Sequence, residues 1–183
     1  EIRDYAESIG APCIMTANTH ERASDRIAEA MLKIEAETGQ QHDIIVLIQG
    51  DEPMTRPDMI DATVHGLEND PSVNVTNGVA PIKTAEEFED PNEVKVVVDP
   101  EDYAIYFSRE PIPSRKKWDG DVPMLKQVCI IPFRRDYLLE YNETPQTPLE
   151  QIESVDMMRI IETGGKIRMV PMQHETLSVD TQY

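Results

Sequence analysis

The stretch DIIVLIQGDEPM, residues 43–54, decides the fold. Asp43 to Ile48 (DIIVLI) form a short, continuous, β-branched apolar run, the pattern of a central parallel strand buried on both faces. The run stops where Gln49, Gly50, Asp51 and Glu52 begin, and Pro53 fixes the exit. Ligands of open α/β sheets bind at the carboxyl ends of strands, so this polar cluster sits where chemistry is expected. Gly50 permits a tight or left-handed turn. Two carboxylates at such a strand end can hold a divalent cation, because Mg²⁺ favours one or two carboxylates plus substrate phosphates. Taken alone, these residues also fit a plain polar turn after a strand.

Outward from this stretch the chain alternates. Residues 2–9 read as the end of a helix stopped by Gly10, and residues 12–16 as a short strand. Residues 24–36 are amphipathic, with Ile27, Ala30, Met31 and Ile34 at helical spacing, Ser24 placed to cap and Asp25 in the first turn. Residues 57–68 continue as a helix. Strands are expected at 72–82, 94–98, 104–107, 125–133 and 167–170, and a helix at 149–162 that stops at Gly164-Gly165. Strand alternating with helix over the first part of the chain predicts a single α/β domain around a mostly parallel sheet. The Pro-rich middle reads as an insertion or hairpin arm rather than a second core.

The charge balance, 17 Lys and Arg against 35 Asp and Glu, leaves −18. Nucleic-acid backbones are drawn to clustered cations, so nucleic acid is excluded as a partner, and anionic membrane surfaces are repelled. No apolar run approaches the ~18 residues of a membrane span, and no charged start precedes an apolar leader. Cys13 and Cys129 lie far apart in apolar runs, which fits two buried thiols in a reducing, cytoplasmic compartment better than a disulfide or a zinc site. The four histidines lack zinc-ligand spacing, and no P-loop, dinucleotide fingerprint or nucleophile elbow occurs.

Among the cations, Arg22 and Arg26 stand at the start of the first full helix, where a helix N-terminus can receive an anion. Lys95 and Arg109 are set in apolar, strand-like stretches, where a cation tends to be paired or functional. Lys126 is a further candidate. Asp180, in Ser178-Val179-Asp180-Thr181, is a second acidic point that could complete a metal site with Asp51.

Several strings, in this order along the chain, carry a family pattern. They are Gln49-Gly50-Asp51-Glu52-Pro53-Met54, Pro91-Asn92-Glu93-Val94-Lys95-Val96-Val97 and Tyr106-Phe107-Ser108-Arg109-Glu110-Pro111-Ile112-Pro113. Together they closely resemble the 3-deoxy-manno-octulosonate cytidylyltransferases, the CMP-Kdo synthetases. Ser24-Asp25-Arg26 resembles the family's Gly-Thr-Asp-Arg helix start, with Ala23 in place of Gly. Thr147-Pro148-Leu149-Glu150 resembles its Ser-Pro-Leu-Glu, and Val179-Asp180-Thr181 its closing Val-Asp-Thr.

The resemblance implies a nucleotide-diphosphosugar-transferase-like (Rossmann-like) fold with a strand-rich dimerisation arm around residues 108–125, and a homodimer. It implies transfer of CMP from CTP to the anomeric hydroxyl of a 2-keto-3-deoxy sugar acid, with release of pyrophosphate. Mg²⁺ would be held by Asp51 and Asp180, and Arg109 would meet the sugar-acid carboxylate. Ser24, Arg26 and Gln49 would lie along the nucleotide. Gln49, Asn92, Lys95, Gln127 and Asp156 would form the substrate pocket.

Two departures bear on the acceptor. Gln127-Val128-Cys129-Ile130-Ile131 stands where the family has His-Leu-Gly-Ile-Tyr, and Asp156-Met157 where it has Glu-Gln. Loss of polar side chains from the pocket predicts that the acceptor is read differently. These changes leave one competing expectation, a catalytically diverged relative that binds a sugar nucleotide or a protein partner. Residues 1–183 are expected to be one domain lacking the family's N-terminal nucleotide-binding strand and loop and its C-terminal helix.

Overall fold

The structure, a computed structural model, describes residues 1–174 with Thr176, Ser178 and Val179. The chain opens with α1 (Ile2–Ser8) and the long amphipathic α2 (Ala23–Thr38), closed by Gly39 in the left-handed conformation at φ 70°. Then follow β1 (Ile44–Ile48), α3 (Pro57–Glu68), β2 (Thr76–Pro81) and the short α4 (Ala85–Glu89). A β3 (Lys95–Val98) to β4 (Ala104–Ser108) hairpin precedes β5 (Leu125–Val128) and β6 (Ile130–Arg134). Helices α5 (Arg135–Glu143), α6 (Pro148–Glu153) and α7 (Met157–Glu162) lead to β7 (Arg168–Pro171).

Five strands form one sheet in the order β4-β3-β5-β2-β7, and β1 pairs with β6 in a second, two-stranded sheet. The expected α/β architecture is present, but the strand pairing is mixed rather than mostly parallel. Among the described pairs β2–β7 is parallel, while β1–β6, β2–β5, β3–β4 and β3–β5 are antiparallel. The turn between β3 and β4 explains part of this. The Asp99 carboxylate accepts the Glu101 and Tyr103 N–H groups and Asp102 takes φ 63°, which folds the chain back on itself.

One strand was expected over 125–133. The chain instead bends at Cys129, so β5 belongs to the larger sheet and β6 to the smaller. A bridge between Val75 and Phe133 holds the two sheets together. The main core fills the space between them and the helices, with Leu47, Val75, Phe107, Phe133, Leu138, Met158 and Ile160 all buried.

Other expectations change for identifiable reasons. Residues 11–17 form no strand, because side chains of α2 take up their backbone. Glu29 accepts the Ala17 N–H, Arg26 donates to the Ala17 carbonyl and Lys33 donates to the Met15 carbonyl. The single helix expected at 149–162 is two, α6 and α7, separated at Ser154, which adopts φ 52°. The arm at 109–124 contains no strand. Pro111, Pro113 and Pro123 deprive it of ladder donors, and Arg115 anchors it by lying over the Phe88 ring at 4.6 Å and pairing with Glu89. Ser24 is not a cap, since α2 begins at Ala23 with Arg22 at the N-cap position. Among the described residues no helix is long and apolar enough to cross a membrane.

Candidate active site

The bend at Cys129 is where the two sheets part, and three chain segments converge on it. The first is the loop after β1. Gln49 N–H donates to the Cys129 carbonyl at 3.3 Å, and the Glu52 carboxylate accepts the Cys129 N–H at 3.0 Å, so the loop grips the bend from both sides. Gly50 serves here without a left-handed conformation, and a Cβ on it would meet nothing. Burial, with the charge of neighbouring Asp51 adding to it, pushes the Glu52 carboxyl above its ordinary value, against the Cys129 hydrogen bond.

The second segment is the loop 90–94, which carries Asn92. Lys95, fully buried, holds this loop from beneath by donating to the Asp90 and Glu93 carbonyls, both at 2.7 Å. Burial pushes its ammonium below the ordinary value. Lys95 therefore props the wall of the cleft.

The third segment is the α6–α7 turn. Arg109 ties it to the second. Its Nε donates to the Glu153 carbonyl (2.9 Å), Nη2 to the Ser154 carbonyl (3.2 Å) and Nη1 to the Pro91 carbonyl (2.8 Å). The Glu153 carboxylate adds bonds from the Tyr106 and Ser108 hydroxyls and the Arg109 N–H. Beside this turn, burial pushes the Asp156 carboxyl up while Arg22, 3.2 Å away, works in the opposite direction.

The resulting cleft has two lobes that share Gln49, Val94, Arg109, Gln127 and Cys129. One lobe adds Asp51, Glu52, Asn92, Glu93 and Lys126. The other adds Arg22, Leu47, Ile131, Asp156 and Met157. Lys126 is buried at the rear of the first lobe between Glu87 (2.7 Å) and Glu93 (3.1 Å). Burial alone would lower its ammonium, but these hydrogen bonds hold it above the ordinary value.

Of the expected site residues, Gln49, Asp51, Asn92, Arg109, Gln127 and Asp156 thus stand around one cleft. Arg26 is exposed on an adjoining open groove with Gln49 and Asp51. Ser24 is fully buried, so its side chain does not reach the nucleotide path expected for it. Asp180 lies outside the described residues. Arg22 and Glu52 are additional residues of the site, and Asn77 lies buried behind it, bonded to Gln127. Arg22 was legible as a cation beside a helix start, and Glu52 as the neighbour of Asp51, whereas nothing local marked Asn77.

Asp51 bears on the expected metal. Its Oδ1 is buried and has no hydrogen-bond partner among the described residues, although an acceptor in that position ordinarily finds one. Among the described residues no group of three or more His, Cys, Asp or Glu side chains converges. A single available carboxylate oxygen suits Mg²⁺, which takes most of its ligands from water and phosphate.

Residues 1–167 match the family model described as cytidylyltransferase. A 3-deoxy-manno-octulosonate cytidylyltransferase of Geobacter sulfurreducens is 39% identical, the match covering 98% of this chain and 74% of the relative. Another of the same name, from Solibacter usitatus, is 42% identical over 96% of this chain and 68% of its own length. Among solved structures, CMP:2-keto-3-deoxy-manno-octonic acid synthetase complexed with CTP superposes with a TM-score of 0.87 at 36% identity, covering 98% of this chain and 71% of that one. With nearly its whole length matched in sequence and in fold, the chain belongs to the cytidylyltransferase family, in its 3-deoxy-manno-octulosonate branch.

Proposed function

We propose that this enzyme transfers CMP from CTP to the anomeric hydroxyl of 3-deoxy-manno-octulosonate or a closely related 2-keto-3-deoxy sugar acid. The sugar oxygen forms a bond to the α-phosphorus, the bond from that phosphorus to the bridging oxygen breaks, and pyrophosphate leaves. The reading is carried by Asp51 at the end of β1, a residue of the cleft wall whose buried Oδ1 finds no hydrogen-bond partner among the described residues. It is supported by relatives named for this activity and by the related structure that holds CTP.

The two lobes divide the work. Asp51, with Arg26 on the adjoining groove, lies on the side that suits the phosphates. Gln49 stands between the lobes and can touch either substrate. In the second lobe Arg22 and the remaining donors of Arg109 supply positive charge for the sugar-acid carboxylate. Asp51 would hold Mg²⁺, with Asp180 as the second ligand implied by the resemblance. Bound there, the ion would offset phosphate charge and lower the pKa of the attacking hydroxyl. The sum of −18 makes such local cations necessary for an anionic substrate pair to enter. The same reading includes the homodimer, for which the 67%-exposed Trp118 in the 109–124 loop offers an apolar surface.

The test is Asp51→Asn, which removes the charge and keeps the shape. Mg²⁺-dependent pyrophosphate release should be lost while the fold, read by circular dichroism, is retained. Undiminished release in this variant would remove Asp51 from the metal site.

A further inference from the structure

We propose that Asn77 is a positioning residue that locks the Gln127 amide in one orientation, so that its side-chain oxygen is held as the acceptor for a hydrogen-bond donor of the sugar. The inference rests on the CMP-transfer reading for its substrate but not for its geometry.

Asn77 sits on β2 with no exposed surface. Its Nδ2 donates to the Val128 carbonyl at 2.7 Å and the Gly78 carbonyl at 3.1 Å. Both amide protons are thereby committed to carbonyls, and a flipped amide would set an oxygen against two acceptors. Oδ1 is therefore fixed as an acceptor. Gln127 fills that position, with its Nε2 donating to Asn77 Oδ1 at 2.6 Å.

The backbone of Gln127 is held as well, its N–H donating to the Val94 carbonyl at 2.8 Å. With the main chain held and one Nε2 proton bound to Asn77 Oδ1, the amide cannot flip, and Oε1 is fixed as the acceptor that Gln127 offers the cleft. That oxygen accepts no hydrogen bond from any described residue, and Gln127 borders both lobes. Gly78 makes the close approach possible, since a Cβ there would come within 3.2 Å of Val128 Cβ and 3.3 Å of its carbonyl.

The consequence is a polarity. Oε1 accepts a hydroxyl or ammonium proton and repels a carboxylate, so the sugar acid is oriented with a hydroxyl on this wall and its carboxylate elsewhere. An amide free to flip would impose no such direction.

The test uses the full chain, CTP and 3-deoxy-manno-octulosonate. Gln127→Met should raise the acceptor KM about tenfold, the equivalent of one good hydrogen bond, with the CTP KM unchanged. Asn77→Ala should raise the acceptor KM severalfold in the parent and leave it unchanged in the Gln127→Met background. An unchanged acceptor KM in Asn77→Ala, or an equal rise in both backgrounds, overturns the proposal.

Gln127→Glu supplies a variant that leaves the buried Asn77 in place. It sets an oxygen against Asn77 Oδ1 and should raise the acceptor KM as Gln127→Met does; a KM equal to the parent's overturns the proposal. The pair is also read without substrate. The Gln127 Nε2 proton bonded to Asn77 Oδ1 should exchange slowly in the ligand-free parent and faster in Asn77→Ala, and equal exchange in the two overturns the proposal. Failure of the parent to release pyrophosphate would count against the CMP-transfer reading alone.

Discussion

Replacing Arg109 by Lys separates two jobs that the same side chain could do. If the guanidinium matters only as positive charge for a sugar-acid carboxylate, an ammonium in its place keeps most of the effect. The structure gives it a second job, three hydrogen bonds to the carbonyls of Pro91, Glu153 and Ser154, which span the two walls of the cleft. A lysine ammonium is a point donor and lacks the planar fork, so it can serve one wall at most and loses at least one of the three bonds together with the tie between the walls.

Bonds from a charged donor contribute about 1.5–3 kcal/mol each, and partial exposure lets water recover part of that. The expected cost of Arg109→Lys is therefore about 2–3 kcal/mol. At about 2–4 °C per kcal/mol for a chain of this size, the Tm should fall by about 4–12 °C, read by calorimetry. The acceptor KM should rise in parallel as the loop 90–94 and the α6–α7 turn lose their common tie. A Tm within about 1 °C of the parent would refute the bracing role and leave the charge alone to explain the residue.

Two other perturbations test the scaffold. Arg159 is buried against Glu150 through two bonds of 2.6 and 2.7 Å and lies over the Tyr141 ring at 4.5 Å. Arg159→Leu leaves the fully buried Glu150 carboxylate with only the Thr147 N–H and Arg22, 3.7 Å away, and should cost about 3 kcal/mol in chemical denaturation; a loss below about 1 kcal/mol would contradict this. Glu35 joins α2 to α5 through a two-point contact with Arg135, at 2.8 Å on each side. The Arg135 hydrogen bonds hold its carboxyl down at about 2, against 4.5 for an unperturbed glutamate. A depressed carboxyl adds stability above its unfolded value and loses it on acidification, so the Tm should fall between pH 4.5 and about 2. Glu35→Gln should flatten that part of the profile, and an unaltered profile would show that the pair contributes nothing.

Much of the site was legible because it is written in contiguous residues. The apolar run of β1 and the Gln49-Gly50-Asp51-Glu52 turn carry their meaning locally, and the structure puts that turn on the cleft. What escaped depends on partners distant in the chain. An apolar run cannot reveal which neighbour it will pair with, so the antiparallel partnership of β1 with β6 was not apparent. The stretch 11–17 has strand composition, yet its backbone is satisfied by α2 side chains. Lys95 was recognisable as an unusual cation, but its partners are main-chain carbonyls that leave no mark in sequence. Asn77 and Gln127 are separated by 50 residues, and neither one announces the other. The start of α4 was readable all along: Thr84 caps the Glu87 N–H while Glu87 reaches back to Lys83 N–H, a threonine–glutamate signature.

The central claim is that the cleft at the Cys129 bend joins CMP to a sugar acid. It is tested most directly by incubating the full chain with CTP, Mg²⁺ and 3-deoxy-manno-octulosonate and following product mass and pyrophosphate together. The account predicts a CMP–sugar adduct and pyrophosphate in equal amounts, neither formed when the sugar is left out. Pyrophosphate release that ignores the sugar, or no adduct with it present, would contradict the account.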